Sequence, residues 1–426
     1  MSMRCRLPIA LLLYVILPLA LCPGAATAAR WHGSEDMVDG VPNVLNPDKP
    51  YLPPRTAQPV ELWRIGGEND PDQYMLGFVT DVEVGDDGTC YLLDSSLDVI
   101  HVYDADGTYR RDIGRPGEGP GEFRGATDFM LMAGGRIGVI QILPAKIVTM
   151  DVDGVPGDYF ATCGGTHGLS ILDRAEAAGP YIVVGGACGS PGRGVRYGLD
   201  FVGPDGMTTA TLYEEIEKSP DGNINITTNH PHQFTSHWAL AADGRVYVAP
   251  AEQEYRIDVY GPDARLQRVI RREYETLKRS DEDLAADRKR QEEMRQRFGG
   301  MVQLVSRTYE RDIAELLTRP GGRLWVLSSE SLRDRTAGAL GPFEVYDADG
   351  RFERRLSLEV DFDPGKDDFL IKGDRLFVLK QALVRPTTSS THSGGGMQSM
   401  VVMMGGGEED EDDDPTPPSV VCYRLD

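Results

Sequence analysis

Asp87-Gly88, Thr89–Asp94 (TCYLLD), Val99–Tyr103 (VIHVY), Asp104-Ala105-Asp106-Gly107 and Thr108–Ile113 (TYRRDI) form the most regular unit of this 426-residue chain. Each apolar run has the length of a β-strand. Asp-Gly between two such runs signals a hairpin, because glycine accepts the positive φ that the turn requires. With Phe78–Val84 as its first strand, the unit reads as a four-stranded antiparallel meander. Second-hairpin turns recur at Asp153-Gly154, Asp205-Gly206, Asp263-Ala264 and Asp349-Gly350, after strands reading IVTMD, GLDFV, RIDVY and FEVYD. The last copy is Val420-Val421-Cys422-Tyr423, and the chain stops at Asp426, where its turn would stand.

Six copies of a unit too small to fold alone imply one circular architecture, so length is a poor counter of domains here. The outer strand missing from the C-terminus is found at the other end. Trp63-Arg64-Ile65-Gly66 matches Arg111-Asp112-Ile113-Gly114, and each is followed at nearly the same distance by Thr-Asp (Thr80-Asp81, Thr127-Asp128). An N-terminal strand that completes the last unit removes the exposed sheet edges of a linear array. The expected fold is all-β, a six-bladed β-propeller of four-stranded antiparallel blades closed by an N-terminal outer strand. The expected divisions are a signal peptide at 1–28, an extended linker at 29–58 and the propeller at 59–426.

Gly114-Arg115-Pro116-Gly117-Glu118-Gly119-Pro120-Gly121-Glu122-Phe123 follows a strand pair joined by Asp-Ala-Asp-Gly. The segment resembles the inter-blade signature of bacterial six-bladed propellers related to NHL-repeat proteins. The match is specific in the first two blades and diffuse elsewhere. Many members of that group are secreted or surface proteins without an assigned activity, so the resemblance speaks for the fold more than for a function.

Arg4 and Arg6, the apolar stretch Ile9–Leu21 and Ala26-Thr27-Ala28 read as a secretory signal with its cleavage site. The stretch is broken by Pro18 and is shorter than the roughly 20 residues of a membrane span. Leu21 before Cys22 and Pro23 after it depart from a lipobox, so cleavage is favoured over lipidation. The formal net charge of −23, part of it in the run Glu408–Asp414, repels nucleic acid and anionic lipid and favours cations or basic partners. Of six cysteines, Cys5 and Cys22 fall in the signal. In an oxidising compartment Cys163 and Cys188, at the borders of neighbouring Gly-rich segments, are the favoured disulfide pair. Cys90 and Cys422 sit inside strand patterns and read as small buried apolar residues.

Two segments interrupt the repeat. An insertion at about 273–302 carries a helix over Ser280–Phe298, begun by a Ser280/Asp283 capping box and stopped by Gly299-Gly300, with Leu284, Met294 and Phe298 as a sparse apolar stripe. It is either a lid over the channel or a solvated decoration. The segment at about 386–419 combines Gly394-Gly395-Gly396, Met397–Met404, the acidic run and a Pro-rich end. It is too poor in buriable surface to offset its ordering entropy and is expected to be a disordered loop.

In a propeller the first strand of each blade lines the channel. Counting seven residues back from the first hairpin position of each blade gives Asp81, Asp128, Leu172, His237, Glu315 and Asp367. Carboxylates with one imidazole could seat Ca²⁺ or Zn²⁺, and their mutual repulsion would raise a carboxylate pKa toward general-base work. A plainer reading carries more weight: in NHL-like repeats an Asp here commonly binds neighbouring backbone N–H groups as part of the blade pattern. His232 and His237, within Asn229–His237, are weak metal candidates because Pro231 intervenes and no second His-rich segment exists. No G-x-S-x-G elbow is present, and Gly114–Gly121 lacks the Lys-Ser/Thr of a phosphate loop.

The favoured function is therefore an exported ligand- or protein-binding module without intrinsic catalysis, with no cofactor predicted. Its partner would be a protein, peptide or small molecule, and not nucleic acid. A monomer in the periplasm or outside the cell is expected, without a transmembrane anchor once the signal is cleaved. The alternatives are a metal-dependent lactonase- or lyase-like enzyme with its site in the channel, and a cell-envelope scaffold.

Overall fold

The computed structural model describes residues 30–68, 76–141, 145–161, 170–190, 194–218, 226–228, 237–298, 302–304, 307–335, 337–382 and 417–425. The signal segment, Cys163, His232 and nearly all of 386–419 lie outside the described residues.

Trp31–Asp426 forms a six-bladed β-propeller of four-stranded antiparallel blades. Blade 1 consists of Val79–Val84, Cys90–Asp94, Val99–Tyr103 and Tyr109–Ile113. Blade 2 consists of Ala126–Met132, Arg136–Gln141, Lys146–Asp151 and Pro156–Ala161, and blade 3 of Ser170–Ala178, Tyr181–Ser190, Gly194–Val202 and Thr208–Glu217. Blade 4 runs through Trp238–Leu240, Val246–Val248, Arg256–Tyr260 and Leu266–Arg272. Blade 5 is Ile313–Arg319, Arg323–Ser328, Ala339–Tyr346 and Phe352–Glu359. Blade 6 takes Asp368–Lys372, Arg375–Lys380 and Ser419–Arg424 from the C-terminal part, and its outer strand, Val60–Gly66, from the N-terminal part.

The closing pair is in antiparallel register, with Trp63 opposite Cys422 and Ile65 opposite Val420. Trp63 also stacks on Tyr103 of blade 1 at 6.3 Å between ring centroids and tilts against Phe377 at 5.9 Å. Its indole N–H donates to the Ala105 carbonyl at 3.2 Å. Gly107 lies beneath the ring at φ 86°, and a Cβ there would stand 2.7 Å from Cγ of Trp63. The Asp-Gly turn of blade 1 thus serves both its own hairpin and the ring closure.

Six apolar clusters fill the six seams between blades. Blades 1 and 2, for example, interdigitate Tyr91, Leu93 and Ile100 with Phe129, Ile137 and Val139, while blades 3 and 4 join Val183 and Phe201 to Trp238 and Val246. Alternation along each strand puts one set of side chains into each neighbouring seam, so both faces of a blade are apolar. Cys90 and Cys422 are free, buried and part of the blade 6/1 seam. Cys188 is disulfide-bonded.

The residues read as an extended linker form a strap of strands along the outer rim. A hairpin of Ser34–Val38 and Val41–Asn46 adds to blade 4, where Val41–Asn46 runs parallel to Leu266–Arg272. Arg55–Ala57 then runs parallel to the outer strand of blade 5 before the chain enters blade 6. Asn46, fully buried, holds the strap: its amide donates to the Arg271 and Gly350 carbonyls at 3.1 and 2.9 Å. Its oxygen accepts from Phe352 N at 2.7 Å and Trp31 Nε1 at 2.9 Å.

Helix α1, Asp281–Phe298, is inserted between the outer strand of blade 4 and the inner strand of blade 5. Ser280 Oγ accepts from Asp283 N at 3.0 Å, and the Asp283 carboxylate accepts from Ser280 N at 3.0 Å, which together satisfy two N-terminal donors. Leu284 is half-buried; the side chains of Met294 and Phe298 lie outside the described residues. A five-residue helix α2, Ser329–Arg333, fills the loop between the second and third strands of blade 5. No described helix is long and apolar enough to cross a membrane.

Candidate functional site

The inner strands share a local irregularity that aims their side chains. In blades 1, 2, 3 and 5 one extra residue, at Thr80, Thr127, Asp173 and Ala314, bulges from the pairing with the second strand. A bulge twists the strand and re-aims the next side chain. The residues that follow are Asp81, Asp128, Arg174 and Glu315.

Hairpin length corrects two of the positions read from sequence. The first hairpin of blade 5 leaves three residues between Arg319 and Arg323, whereas those of blades 3 and 6 leave two, between Ala178 and Tyr181 and between Lys372 and Arg375. A fixed count from the turn therefore slips. In blade 3 the channel position belongs to Arg174, and Leu172 is buried in the apolar seam with blade 2. In blade 6 it belongs to Asp368. Asp367 is fully buried but holds its own loop, accepting from Asp363 N at 2.8 Å, Gln381 N at 3.1 Å and Lys380 Nζ at 2.7 Å. His237 is buried where the inner strand of blade 4 begins, and its carbonyl accepts from Ala249 N at 2.7 Å.

Most of the channel charge is engaged in joining one blade to the next. Asp81 accepts from Phe129 N of blade 2 at 3.4 Å, and Asp128 from Ala175 N of blade 3 at 2.9 Å. Glu176 accepts from Leu240 N of blade 4 at 2.8 Å and is ion-paired to Arg174, which donates to the Trp238 carbonyl at 3.4 Å. Thr318 of blade 5 donates to the Leu240 carbonyl at 3.0 Å. Lys372 of blade 6 reaches Glu83 at 2.6 Å and Asp81 at 3.7 Å in blade 1. Arg319 joins blade 5 to the Gly373 carbonyl of blade 6 at 2.6 Å. All six seams are thus crossed by a polar contact, and the acids of blades 1 to 3 act as brackets for backbone N–H groups.

Burial sets the protonation of this ring. It pushes Glu83 up to about 7 against the opposing charge of Lys372, and Asp81 adds to the rise. Burial and then the adjacent Asp81, to which it is hydrogen-bonded, push Asp128 well above the usual carboxylate range. Burial and then Asp368 push Glu315 up to about 7, opposed by Arg174 and Arg335. Asp368 is raised by burial as well, although Phe369 N donates to it at 2.8 Å. A raised pKa lessens the cost of burying these acids, because the neutral form has less hydration to lose.

Among the described residues no group of three or more His, Cys, Asp or Glu is arranged to hold a metal ion. Sequence reasoning missed Glu83, Arg174, Glu176, Arg335, Asp368 and Lys372. Glu83 stands two residues after Asp81 and Glu176 two after Arg174, so strand alternation would have found both once the register was known. Arg335 comes from the loop after α2 and carries no repeat signal.

A family model described as a 6-bladed beta-propeller, DUF5128, matches residues 70–160, less than a quarter of the chain. No curated protein matches. Among solved structures, a putative exported protein from Bacteroides fragilis NCTC 9343 is similar at TM-score 0.43 and 11% identity, covering 88% of this chain and 100% of its own. A DUF4221 family member from Bacteroides vulgatus ATCC 8482 gives 0.45 and 11%, covering 86% and 98%. The calcium-binding protein regucalcin from Agrobacterium tumefaciens str. C58 gives 0.40 and 10%, covering 88% and 97%. Likeness at this level transfers no function.

Proposed function

We propose that this chain is an exported six-bladed propeller that acts as a ligand- or protein-binding module without intrinsic catalysis. The observation that supports it is the engagement of Asp81, Asp128 and Glu176 as inter-blade brackets: chemistry that would serve a reaction is spent on holding the ring. The ligand, a protein, peptide or small molecule, is taken at the end where the inner strands begin and where α1 is inserted. The segment Gly114–Phe123 supports a relation to the NHL-type propellers, and the signal-like N-terminus supports a periplasmic or extracellular monomer.

A metal-dependent lactonase- or lyase-like enzyme is the second reading, and the protonation of Glu83 and Glu315 near neutral pH favours it, because a general base works best there. One pair of measurements separates the two. Purified protein is assayed on a lactone panel with added Ca²⁺ or Zn²⁺ and with EDTA, and a peptide and metabolite library is screened by hydrogen exchange for protection at the channel mouth. Mouth protection without turnover is the expected result. Turnover abolished by EDTA and by Glu315→Gln would overturn the binding reading.

A further inference from the structure

Resting on the reading of the channel mouth as a ligand site, we propose that Arg335 is its anchor and that the ligand carries a carboxylate. Arg335 follows α2 in the loop between the second and third strands of blade 5. Its Nε and Nη2 are buried and have no hydrogen-bond partner. Among the described residues it makes no ion pair either, although its charge is felt by Glu315 on the inner strand of blade 5 and by Asp368 on that of blade 6. Buried guanidinium groups are ordinarily paired, and an orphaned one marks a missing partner.

The surroundings select the kind of anion. Mouth-end brackets occupy the other acids: Asp81 spans to blade 2, Asp128 to blade 3 and Glu176 to blade 4. Between blades 5 and 6 the polar tie, Arg319 to Gly373, lies at the opposite end of the inner strands, so it engages neither Glu315 nor Asp368. At the mouth Glu315 has no hydrogen bond among the described residues, and Asp368 accepts only from its neighbour Phe369 N. Burial raises both carboxyls, Glu315 to about 7, so near neutral pH Glu315 can offer an O–H toward an anion. A phosphate dianion would meet the nearby acids at a disadvantage. A carboxylate carries one charge, matches the planar guanidinium fork and can accept from an adjacent carboxylic acid.

The test uses acetate as the probe and follows the Arg335 Nε–H resonance by ¹⁵N NMR, with sodium chloride at equal ionic strength as the control. The expected result is a saturable shift in the millimolar range, about tenfold or more weaker in Arg335→Gln and partly restored in Arg335→Lys, with inorganic phosphate weaker than acetate. Circular dichroism and thermal melting check that both variants stay folded. A response to acetate no larger than to chloride, or unchanged affinity in Arg335→Gln, would refute the carboxylate site. Should that happen while a library ligand still protects the mouth from exchange, the carboxylate assignment falls and the binding module stands. Failure of both measurements removes both.

Discussion

Glu315→Gln is the most revealing single substitution, since it preserves side-chain shape while removing the charge. Burial and the neighbouring Asp368 raise the Glu315 carboxyl from its ordinary 4.5 to about 7. The native protein therefore retains a proton that the unfolded chain has released, and the stability linked to this group is complete below about pH 4.5 and lost as pH rises to about 7. A displacement of about 2.5 pK units corresponds to about 3 kcal/mol as an upper bound. Urea unfolding at about pH 3.5 should give wild type and variant nearly the same midpoint, because both side chains are then neutral in the folded and the unfolded chain. At pH 7.5 the variant should be the more stable by up to about 3 kcal/mol, with an unchanged urea slope. Comparing the two proteins at each pH cancels the titration of the remaining acids. A variant less stable than wild type at pH 7.5 would refute the reasoning, because it would mean that Glu315 is ionised and held by Arg174 or Arg335.

Trp63→Ala should cost about 3–5 kcal/mol in denaturant unfolding, since it removes a large aromatic from the closing seam; a loss under 1 kcal/mol would mean that the Val60–Gly66 strand is not needed for closure. Asp94, fully buried, is held at about 2: burial opposes ionisation, but His101, whose Nε2 stands 3.5 Å away, and hydrogen bonds from Ser96, Gly77 and Phe78 outweigh it. Its contribution of about 2 kcal/mol is present above pH 3.8 and lost as pH falls toward 2, so Asp94→Asn should be less stable than wild type at pH 7 and converge with it near pH 2. Asn46→Ala removes four hydrogen bonds from the strap and should cost about 2–4 kcal/mol; hydrogen exchange at Phe352 N should accelerate in step, and unaltered protection there would show that the strap is passive.

The architecture was readable because hairpin turns and apolar alternation are local signals repeated around the ring. Trp63-Arg64-Ile65 was recognisable as the missing outer strand since it copies the packing pattern of Arg111-Asp112-Ile113. A fixed count from the turn lands on the residues that follow the inner-strand bulge at Asp81, Asp128 and Glu315, and falls short of Arg174 by two residues and of Asp368 by one, because the two-residue hairpins of blades 3 and 6 shift the count. Nothing in the residues of 34–57 indicated the strap, whose pairing with blades 4 and 5 is parallel and spans more than 200 positions of sequence. Arg335 was invisible for a related reason, as its importance lies in what it fails to touch.

The uneven use of the inner ring has an energetic logic. A bracket such as Asp128 to Ala175 N satisfies a buried acceptor and a backbone donor at once and fixes the angle between two blades. Leaving Glu315 and Arg335 unpaired at the mouth of the blade 5/6 seam incurs a desolvation cost of about several kcal/mol, which something nearby must offset. That seam holds an apolar cluster in which Trp325, Phe343, Phe362 and Phe369 pack against Val378, Val421 and Tyr423. Each fully buried side chain of this kind contributes about 1.5–3 kcal/mol. With the blades held by aromatic packing below and by Arg319 at the far end, the mouth of this seam is released from a structural duty that Asp81, Asp128 and Glu176 perform elsewhere. A binding group can be kept desolvated and unpaired only on a frame that does not depend on it, and the blade 5/6 seam is where this propeller supplies that frame.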